Sequence, residues 1–248
     1  MGESKKSKVM PTSFSKAAEV YNRVANDYDG FYVKKKDLAE DEYIRRILSQ
    51  STYCQGQVLD LGCGTGLLCS LADLDPENYI GLDPAQKMLE IAKAKFPGAR
   101  FVQACCESMP NIETESVDSV TSIFGSFSYV TKPDEAVQEI YRVLKPGGSI
   151  FIMAYGPAHK GGSVLPDASI RLLGKLWNSP GLETLFASQF SDAKIVGIGA
   201  ANRLLDVLGP QQGAQLIDLE SQVTDPSYRD ECRWLIVTAR KTQKNKKV

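Results

Sequence analysis

Three glycines that follow directly on a short buried-strand pattern constrain the fold of this chain more than any other feature. Residues 58–68 read VLDLGCGTGLL, an apolar run that leads into Gly62, Gly64 and Gly66 and then into leucines. Glycine permits a tight turn and lets a ligand approach the backbone closely, and the N-terminus of a following helix offers unpaired N–H donors. The pattern predicts a strand, a ligand-binding loop and a helix in succession.

Beyond this loop, strand-like and helix-like segments alternate along a chain of 248 residues. Helical spacing follows the first two strands, and a helix is expected at about 134–144, before the sequence KPGG. Alternation of this kind implies right-handed crossovers and a mostly parallel sheet in one α/β domain. Strands are expected at residues 58–61, 79–83, 100–103, 117–124, 149–155, 193–199 and 233–240, with further helix-like segments around 165–190 and 202–222.

The first 54 residues do not share this alternation. Apolar residues between Ala17 and Ala25 recur at helical spacing, which predicts an amphipathic helix across the open edge of the sheet. We therefore expect a helical lid over residues 13–54, in front of a main domain at residues 55–241. Residues 1–12 and 242–248 are rich in lysine and are expected to be disordered basic tails.

Composition excludes several classes of protein. The 29 Lys and Arg against 30 Asp and Glu leave a formal charge of −1, so no basic field is available to hold a nucleic acid. No apolar run approaches the roughly 18 residues of a membrane span, and the charged N-terminus does not resemble a secretory signal. The six cysteines form no CxxC pair and there is one histidine. We expect reduced thiols, no metal, no membrane partner and a cytoplasmic monomer or homodimer.

Two aspartates indicate the ligand of the glycine loop. Asp83 ends the second expected strand, about 20 residues after Gly62, where an acidic side chain binds the ribose hydroxyls of a nucleoside. Leu67 occupies the position where a dinucleotide-binding GxGxxG pattern needs its last glycine. Asp60 precedes the glycines, where a carboxylate would repel a pyrophosphate but accept hydrogen bonds from an ammonium group. S-Adenosylmethionine, with adenosine at one end and an amino acid at the other, meets both demands.

Further motifs carry a family resemblance. DLGCGTG at residues 60–66, GLDPAQKMLEIAKAK at 81–95 and RVLKPGGSIF at 142–151 resemble successive motifs of class I S-adenosylmethionine-dependent methyltransferases. The match is close over about residues 55–155 and looser through residues 189–196 and 233–241. The resemblance implies a Rossmann-like, doubly wound sheet of seven mostly parallel strands with an antiparallel last strand, an N-terminal helical lid and S-adenosylmethionine as cofactor.

The resemblance also implies a cofactor site. The three glycines would shape the pocket, Asp60 would face the methionine end and Asp83 the ribose, while Met88 would either contact adenine or simply pack its helix on the sheet. A tyrosine of the lid, Tyr21, would meet the cofactor carboxylate. The residues expected to bind the cofactor are Tyr21, Asp60, Gly62, Cys63, Gly64, Thr65, Gly66, Asp83, Pro84, Met88, Cys105, Cys106, Glu107 and Phe124.

One position departs from the family pattern. Family members often carry Gly-Asp-Ala after the third strand, with the aspartate receiving the adenine amino group. Here Cys105 stands at that position, and a thiol is a poor acceptor. A backbone carbonyl or Glu107 would then take over this contact, or the cofactor would bind more weakly.

The acceptor side is expected after the fourth and fifth strands, where ligands of open α/β sheets bind. His159, the one histidine, is a candidate general base or an ordinary loop residue. The aromatic residues of this region either line a pocket for a small molecule or pack in the core. The residues expected to contact the acceptor are Tyr28, Phe127, Tyr129, Tyr155 and Trp177.

The sequence therefore predicts a methyltransferase that passes a methyl group to an oxygen or nitrogen of a small molecule. The segment SIFGSF at residues 122–127 lacks the Asn-Pro-Pro-Tyr pattern of base-amino methyltransferases. Three other functions stay open at this point: methylation of RNA or protein, regulation by cofactor binding without turnover, and a nicotinamide-dependent reductase.

Overall fold

The structure, a computed structural model, describes residues 12–159 and 174–243. The tails predicted at residues 1–12 and 242–248 lie almost entirely outside the described residues. The same holds for residues 165–173 of the helix-like segment predicted around 165–190.

A seven-stranded sheet lies at the centre of the described residues, in the strand order β3-β2-β1-β4-β5-β7-β6. The strands from β3 across to β5 pair in parallel, and β7 is inserted between β5 and β6 and runs antiparallel to both. This confirms the Rossmann-like fold class that the resemblance implied. The strands are β1 (Val58–Leu61), β2 (Tyr79–Asp83), β3 (Arg100–Gln103), β4 (Val117–Ser122), β5 (Leu144–Tyr155), β6 (Lys194–Ile198) and β7 (Trp234–Arg240).

Helices cover both faces of the sheet, and their sequences show why they begin where they do. α5 starts with Pro133, whose fixed φ suits the first helical turn, and continues with two acidic residues that favour a helix N-terminus. The helices are α1 (Thr12–Val24), α2 (Lys35–Ser49), α3 (Leu67–Leu71), α4 (Gln86–Lys95), α5 (Pro133–Val143), α6 (Ser179–Ala187), α7 (Asn202–Leu205) and α8 (Pro210–Ser221).

The sheet separates two hydrophobic clusters. Successive side chains of a strand point to opposite faces, and in β1 the side chains of Leu59 and Leu61 join one cluster while Val58 joins the other. Asp60 therefore lies on the same face as Val58, among the residues packed by α1 to α4. This alternation places a carboxyl group inside an otherwise apolar layer.

Three predicted boundaries are wrong for local reasons. β4 ends at Ser122 and not at residue 124, because Phe124 has a positive φ of 52° that no extended strand contains. β5 begins at Leu144 and includes the KPGG segment, with a register shift against β4 where two of its glycines lie. The helical segment predicted at 202–222 is two helices, α7 and α8, and Pro210 begins the second.

The N-terminal residues form helices, as predicted. α1 packs against α4 and against the short 3-10 turn Ser126–Tyr129, so it lies above the carboxyl ends of the strands and not along an outer edge of the sheet. α2 packs on α8 instead. The helix that was expected to close the sheet edge thus covers the loop that follows β1.

Candidate functional site

The glycine loop after β1 is held by the strand beside it. The backbone N–H groups of Gly62 and Cys63 both donate to the carbonyl of Leu82 in β2, at 2.7 and 3.0 Å. The N–H of Gly66 donates to the carbonyl of Cys63 at 2.9 Å and closes the turn. These bonds bring the end of β1 and the end of β2 to the same point at the edge of the sheet.

The three glycines have different structural roles. All have positive φ, at 71° for Gly62, 52° for Gly64 and 88° for Gly66, a region that side chains disfavour. A Cβ at Gly62 would lie 2.3 Å from the Cβ of Ser126, and one at Gly66 would lie 2.8 Å from the ring of Phe96. A Cβ at Gly64 would meet no protein atom closer than 4.0 Å, so Gly64 faces open space. Gly64 is therefore the glycine that a ligand would approach.

Asp83 closes the other side of this space. One carboxylate oxygen accepts a hydrogen bond from the N–H of Gly64 at 2.9 Å, and the other accepts from the N–H of Ala85 at 2.8 Å. Burial raises the pKa of Asp83 to about 6, although these two bonds favour the ionised form. Each oxygen keeps a further lone pair, so the carboxylate retains the capacity to accept bonds from two neighbouring hydroxyls.

Asp60 is more deeply buried than Asp83 and accepts fewer hydrogen bonds. Its Oδ2 accepts a hydrogen bond from the hydroxyl of Tyr79 at 2.6 Å, whereas its buried Oδ1 has no hydrogen-bond partner. Burial raises the pKa of Asp60 to about 7, the Tyr79 bond lowers it and the charge of Asp83 raises it further. An unpartnered buried carboxylate oxygen is costly, which indicates that a donor binds there.

A cavity of about 960 Å³, counted with its opening to solvent, lies between the glycine loop, α1 and the segment after β4. It has two parts. The glycine-loop half consists of Asp60, residues 62–65, Asp83, Pro84 and Met88. The aromatic half consists of Tyr21, Tyr28, Phe124, Phe127 and Tyr129. Among the described residues that line the cavity, Asp60 and Asp83 are the only acidic ones, and no lysine, arginine or histidine lines it.

Hydroxyl groups connect the aromatic half to the sheet. The Tyr21 hydroxyl donates to that of Tyr129 at 3.4 Å, and the Tyr129 and Tyr155 hydroxyls are 3.1 Å apart. Tyr28 is hydrogen-bonded to Tyr32. Burial, and then the neighbouring phenols, raise the pKa values of Tyr21, Tyr28 and Tyr155 well above the usual value. These phenols therefore stay neutral and act as hydrogen-bonding groups, not as bases.

Phe124 enters the aromatic half through an unusual backbone conformation. Its φ of 52° is in the left-handed region, which a phenylalanine rarely adopts and which costs about 1–3 kcal/mol. Its ring packs edge-on against Trp234 of β7, at a centroid distance of 5.9 Å. The conformation turns the ring of Phe124 toward the cavity directly after β4.

The N-terminal segment is fastened to the glycine loop by polar contacts that the sequence did not reveal. The Thr65 hydroxyl donates to Asp29 at 2.6 Å, and Lys95 forms an ion pair with the same carboxylate. Burial opposes the ionisation of Asp29, but the bonds from Lys95 and Thr65 outweigh it and lower its pKa. The side-chain oxygen of Asn22 accepts from the N–H of Lys87 at 2.8 Å. Asp29 and Asn22 lie in the segment that resembles a family lid, but the sequence assigned neither of them a contact, and only the fold shows their partners.

Small residues that line the cavity were also missed. Ala17 and Ala18 of α1 lie over the loop, and their small side chains leave room for a ligand. The Ser126 hydroxyl donates to the carbonyl of Gly62 at 3.1 Å and lines the cavity. The helical spacing around Ala17 was the one available signal.

The structure brings most of the predicted cofactor residues together. Tyr21, Phe124, Cys105 and Cys106 line the cavity with the glycine-loop half. Burial raises the pKa of the Cys105 thiol to about 11, so it stays protonated. Two predicted residues do not line the cavity: Gly66, which lies against Phe96, and Glu107. Glu107 Oε1 accepts from the N–H of Thr131 at 2.9 Å.

Of the predicted acceptor residues, Tyr28, Phe127 and Tyr129 line the cavity, whereas Tyr155 and Trp177 lie behind them. Tyr155 contacts the aromatic half through Tyr129: the two hydroxyls are 3.1 Å apart and the two rings pack edge-on. Trp177 is buried and packs on Phe127, at a centroid distance of 5.9 Å. Both support the wall of the aromatic half.

His159 does not line the cavity. It is buried, its ring stacks on that of Tyr155 at 3.8 Å, and it meets the ring of Trp234 edge-on at 4.8 Å. Burial, with the charges of Arg233 and Lys36, lowers the pKa of His159 to about 3. A neutral imidazole packed behind Tyr155 is a supporting ring, and its position gives no sign of the general-base role that the sequence suggested.

The topology and the cavity together define a nucleoside-binding domain of the Rossmann-like type, with its crevice at the carboxyl ends of the strands. Comparison of the sequence with those of known proteins supports this type of domain. Residues 59–152 match the family described as "Methyltransferase domain". The chain is 29% identical over 164 residues to the ubiquinone/menaquinone biosynthesis C-methyltransferase UbiE of Campylobacter jejuni, covering 60% of this chain and 67% of that protein. It is 30% identical over 158 residues to demethylmenaquinone methyltransferase of Chlorobaculum tepidum, covering 61% and 64%.

Solved structures show the same fold. An S-adenosylmethionine-dependent methyltransferase of Thermotoga maritima superimposes with a TM-score of 0.62 at 17% identity, over 91% of this chain and all of that one. Phosphoethanolamine N-methyltransferase 2 of Haemonchus contortus gives 0.55 at 22% identity, over 80% of this chain and 52% of that one. The chain is therefore similar to class I S-adenosylmethionine-dependent methyltransferases in sequence and in fold, and the predicted enzyme class and methyl donor are confirmed.

The residues present fit this donor. The open space over Gly64 and the spare acceptor capacity of Asp83 suit a ribose, and the unpartnered Oδ1 of Asp60 suits an ammonium group. In the described part of the chain, no group of three or more His, Cys, Asp and Glu side chains could hold a metal ion. Within the same residues, no helix is both long and apolar enough to cross a bilayer.

Proposed function

We propose that this methyltransferase acts on an uncharged, hydroxylated aromatic small molecule bound in the aromatic half of the cavity. The observation that carries the proposal is the lining of that half, which consists of tyrosine and phenylalanine rings with no cationic side chain and no carboxylate of its own. Offset and edge-on contacts between rings favour an aromatic acceptor.

The cofactor would lie in the glycine-loop half. Asp83 would accept hydrogen bonds from the ribose hydroxyls, Asp60 would face the methionine ammonium group, and Tyr21 would meet the carboxylate. Cys105 and Met88 line the side of the cavity where adenine would bind. When bound, the donor supplies an electrophilic methyl group on a sulfonium that already carries its leaving group.

The chain's own contribution is positioning. The linked hydroxyls of Tyr21, Tyr129 and Tyr155 would hold the hydroxyl of the acceptor, and the rings of Phe124 and Phe127 would hold its aromatic plane. α1 and the turn after it cover the glycine loop, because Asp29 is bonded to Thr65 of the loop and Asn22 to Lys87 of α4. Orientation of this kind supplies several kcal/mol of rate enhancement in reactions that need little acid–base help.

The relatives support this class of acceptor. The relative from Campylobacter jejuni is a ubiquinone/menaquinone biosynthesis C-methyltransferase, and the relative from Chlorobaculum tepidum is a demethylmenaquinone methyltransferase. The sequence led us to expect transfer to oxygen or nitrogen. A hydroxylated ring is nucleophilic both at its oxygen and at the carbons beside it, so the proposed class includes transfer to oxygen and adds ring carbon.

The test is methyl transfer from a labelled donor to a panel of acceptors. The panel contains hydroquinones and naphthols, primary amines, total RNA and a mixed peptide pool, and mass spectrometry of the products identifies the methylated atom. We expect label in the hydroxylated aromatic compounds. Label confined to amines, RNA or peptides would overturn the proposed acceptor class while leaving the enzyme class intact.

A further inference from the structure

The pair formed by Asp60 and Tyr79 is a buried polar unit directly beneath the cavity. Asp60 is 1% exposed and lines the cavity, and Tyr79 is fully buried and does not line it. The Tyr79 hydroxyl donates to Oδ2 at 2.6 Å and leaves Oδ1 without a partner. One oxygen is therefore held by the protein and the other is available to a ligand.

The position of Tyr79 in the sheet and the packing of its ring fix the position of its hydroxyl group. Tyr79 begins β2, stands opposite Val58 of β1 in the parallel ladder, and packs edge-on against the ring of Phe101 at 5.9 Å. Burial, followed by the charge of Asp60, raises the pKa of Tyr79 well above its usual value, so the phenol keeps its proton and remains a donor. The bond orients the carboxyl group of Asp60.

The other groups that face Asp60 do not neutralise it. The thiols of Cys54, Cys63 and Cys69 are close enough to interact with its charge, and all three have raised pKa values and stay protonated. Asp83 is a like charge. None of the ion pairs in the described part of the chain includes Asp60. A carboxylate in such surroundings lacks a counter-charge until a cationic ligand arrives.

We propose that Tyr79 is a positioning residue that aims Oδ1 of Asp60 into the cavity, and that an adenosyl amino acid displaces a proton from Asp60 when it binds. The inference rests on the placement of the methionine ammonium group under the proposed function. The free carboxyl group gives its proton to solvent, and an N–H of the ammonium group then donates to Oδ1. The ligand keeps its own three ammonium protons, so one proton is released for each protonated Asp60 that becomes occupied.

The electrostatics support this geometry. Because burial places the pKa of Asp60 at about 7, the group is largely protonated in the free protein at pH 6.5. Binding of an ammonium group lowers that pKa, since an adjacent opposite charge favours the ionised form. Proton linkage then predicts that affinity rises with pH up to about pH 7, by up to about tenfold per pH unit.

The test compares two ligands that differ only in the amino acid part. Calorimetry at pH 6.5, in two buffers of different ionisation enthalpy, gives the number of protons released when S-adenosylhomocysteine or 5′-methylthioadenosine binds. Both carry the ribose that would contact Asp83, so any proton from Asp83 is common to both. We expect S-adenosylhomocysteine to release roughly half a proton or more in excess of methylthioadenosine. Equal proton release by the two ligands would overturn the coupling.

Three variants separate the steps. Tyr79→Phe removes one hydroxyl and should weaken S-adenosylhomocysteine binding about three- to tenfold at pH 6.5, shift its pH dependence upward and leave methylthioadenosine unaffected. Asp60→Asn should abolish the excess proton release. Tyr141→Phe, a matched change in a tyrosine that packs on Phe190, serves as the control. Thermal unfolding verifies that each variant is folded.

The outcomes distinguish this inference from the proposed function. Unchanged S-adenosylhomocysteine affinity in Asp60→Asn would remove Asp60 from the methionine end and overturn this inference and the cofactor placement on which it rests, while the proposed acceptor class would stand. Weaker binding in Asp60→Asn, without excess proton release in the wild-type protein, would overturn the coupling alone. A Tyr79→Phe variant that titrates like the wild-type protein would overturn the positioning role of Tyr79.

Discussion

The two halves of the cavity are built in different ways. The glycine-loop half comes from two turns that each follow a strand directly, at residues 62–65 and 83–84, and it is shaped mainly by backbone and by two carboxylates. The aromatic half combines Tyr21, Tyr28 and residues 124–129, more than a hundred residues apart at the extremes, and it is shaped by uncharged side chains.

Because the two halves are built differently, they suit different kinds of ligand. A backbone loop with fixed carboxylates suits one ligand of constant chemistry, whereas a wall of side chains from distant segments is easily altered without changing the fold. We expect changes in the glycine-loop half to affect cofactor binding and changes in the aromatic half, apart from those at Tyr21, to affect the acceptor alone. The following predictions, in order of decreasing effect, test that separation.

Gly64→Val should have the largest effect, with a loss of at least about 100-fold in S-adenosylhomocysteine affinity by calorimetry. The branched side chain would enter the open space over the loop and would also be strained at a φ of 52°. Gly30→Ala is the matched control, because a Cβ at Gly30 meets nothing within 4 Å. Normal affinity in Gly64→Val would show that the cofactor does not approach this glycine.

Asp83→Ala should weaken S-adenosylhomocysteine binding by roughly 1–3 kcal/mol, the scale of hydrogen bonds to a charged group. The variant also releases the N–H groups of Gly64 and Ala85, so thermal unfolding must be measured beside calorimetry. Asp134→Ala, at an exposed residue of α5, provides the control. Equal affinities in the two variants would contradict the ribose contact.

His159→Gln should change the pH dependence of stability by up to about 3 kcal/mol and should leave the pH profile of turnover nearly unchanged. The pKa of His159 is about 3 in the folded protein, below the unfolded value, so its contribution is full above about pH 6.5 and is lost as pH falls toward 3. Denaturant titrations between pH 4 and 7 should therefore show a flatter profile for the variant. If the pH profile of turnover has a limb near pH 6.5 in the wild-type protein, and if this limb disappears in His159→Gln, then His159 is the general base.

Tyr129→Phe should have the smallest effect, a roughly three- to tenfold rise in KM for the acceptor with almost no change in cofactor affinity. The Tyr129 hydroxyl is the middle member of the chain from Tyr21 to Tyr155, so its removal interrupts the contact expected for the acceptor hydroxyl. Steady-state kinetics with a hydroxylated aromatic acceptor provide the measurement. A comparable loss of cofactor affinity would mean that the two halves are not separable.

The glycine-loop half could be predicted from the sequence because its determinants are local. Gly62, Gly64 and Asp83 follow strand patterns directly, and parallel strands must bring their carboxyl ends to one edge. The polar contacts of Asp29 and Asn22 could not be predicted, since each depends on where a separate helix comes to rest. His159 is the converse case: its position after a strand made it a candidate for the site, but its ring packs inward against Tyr155 and Trp234.

By itself, the sequence determined the sheet, the order of its motifs and the methyl donor, because hydrophobic periodicity and the residues at strand ends act over short distances along the chain. Only the tertiary structure decided that α1 covers the loop, that five tyrosines and phenylalanines from separate segments form one wall, and that Asp60 keeps an unpartnered oxygen beside Tyr79. These features arise where distant segments pack against one another, and burial and the presence of a partner are properties of that packing.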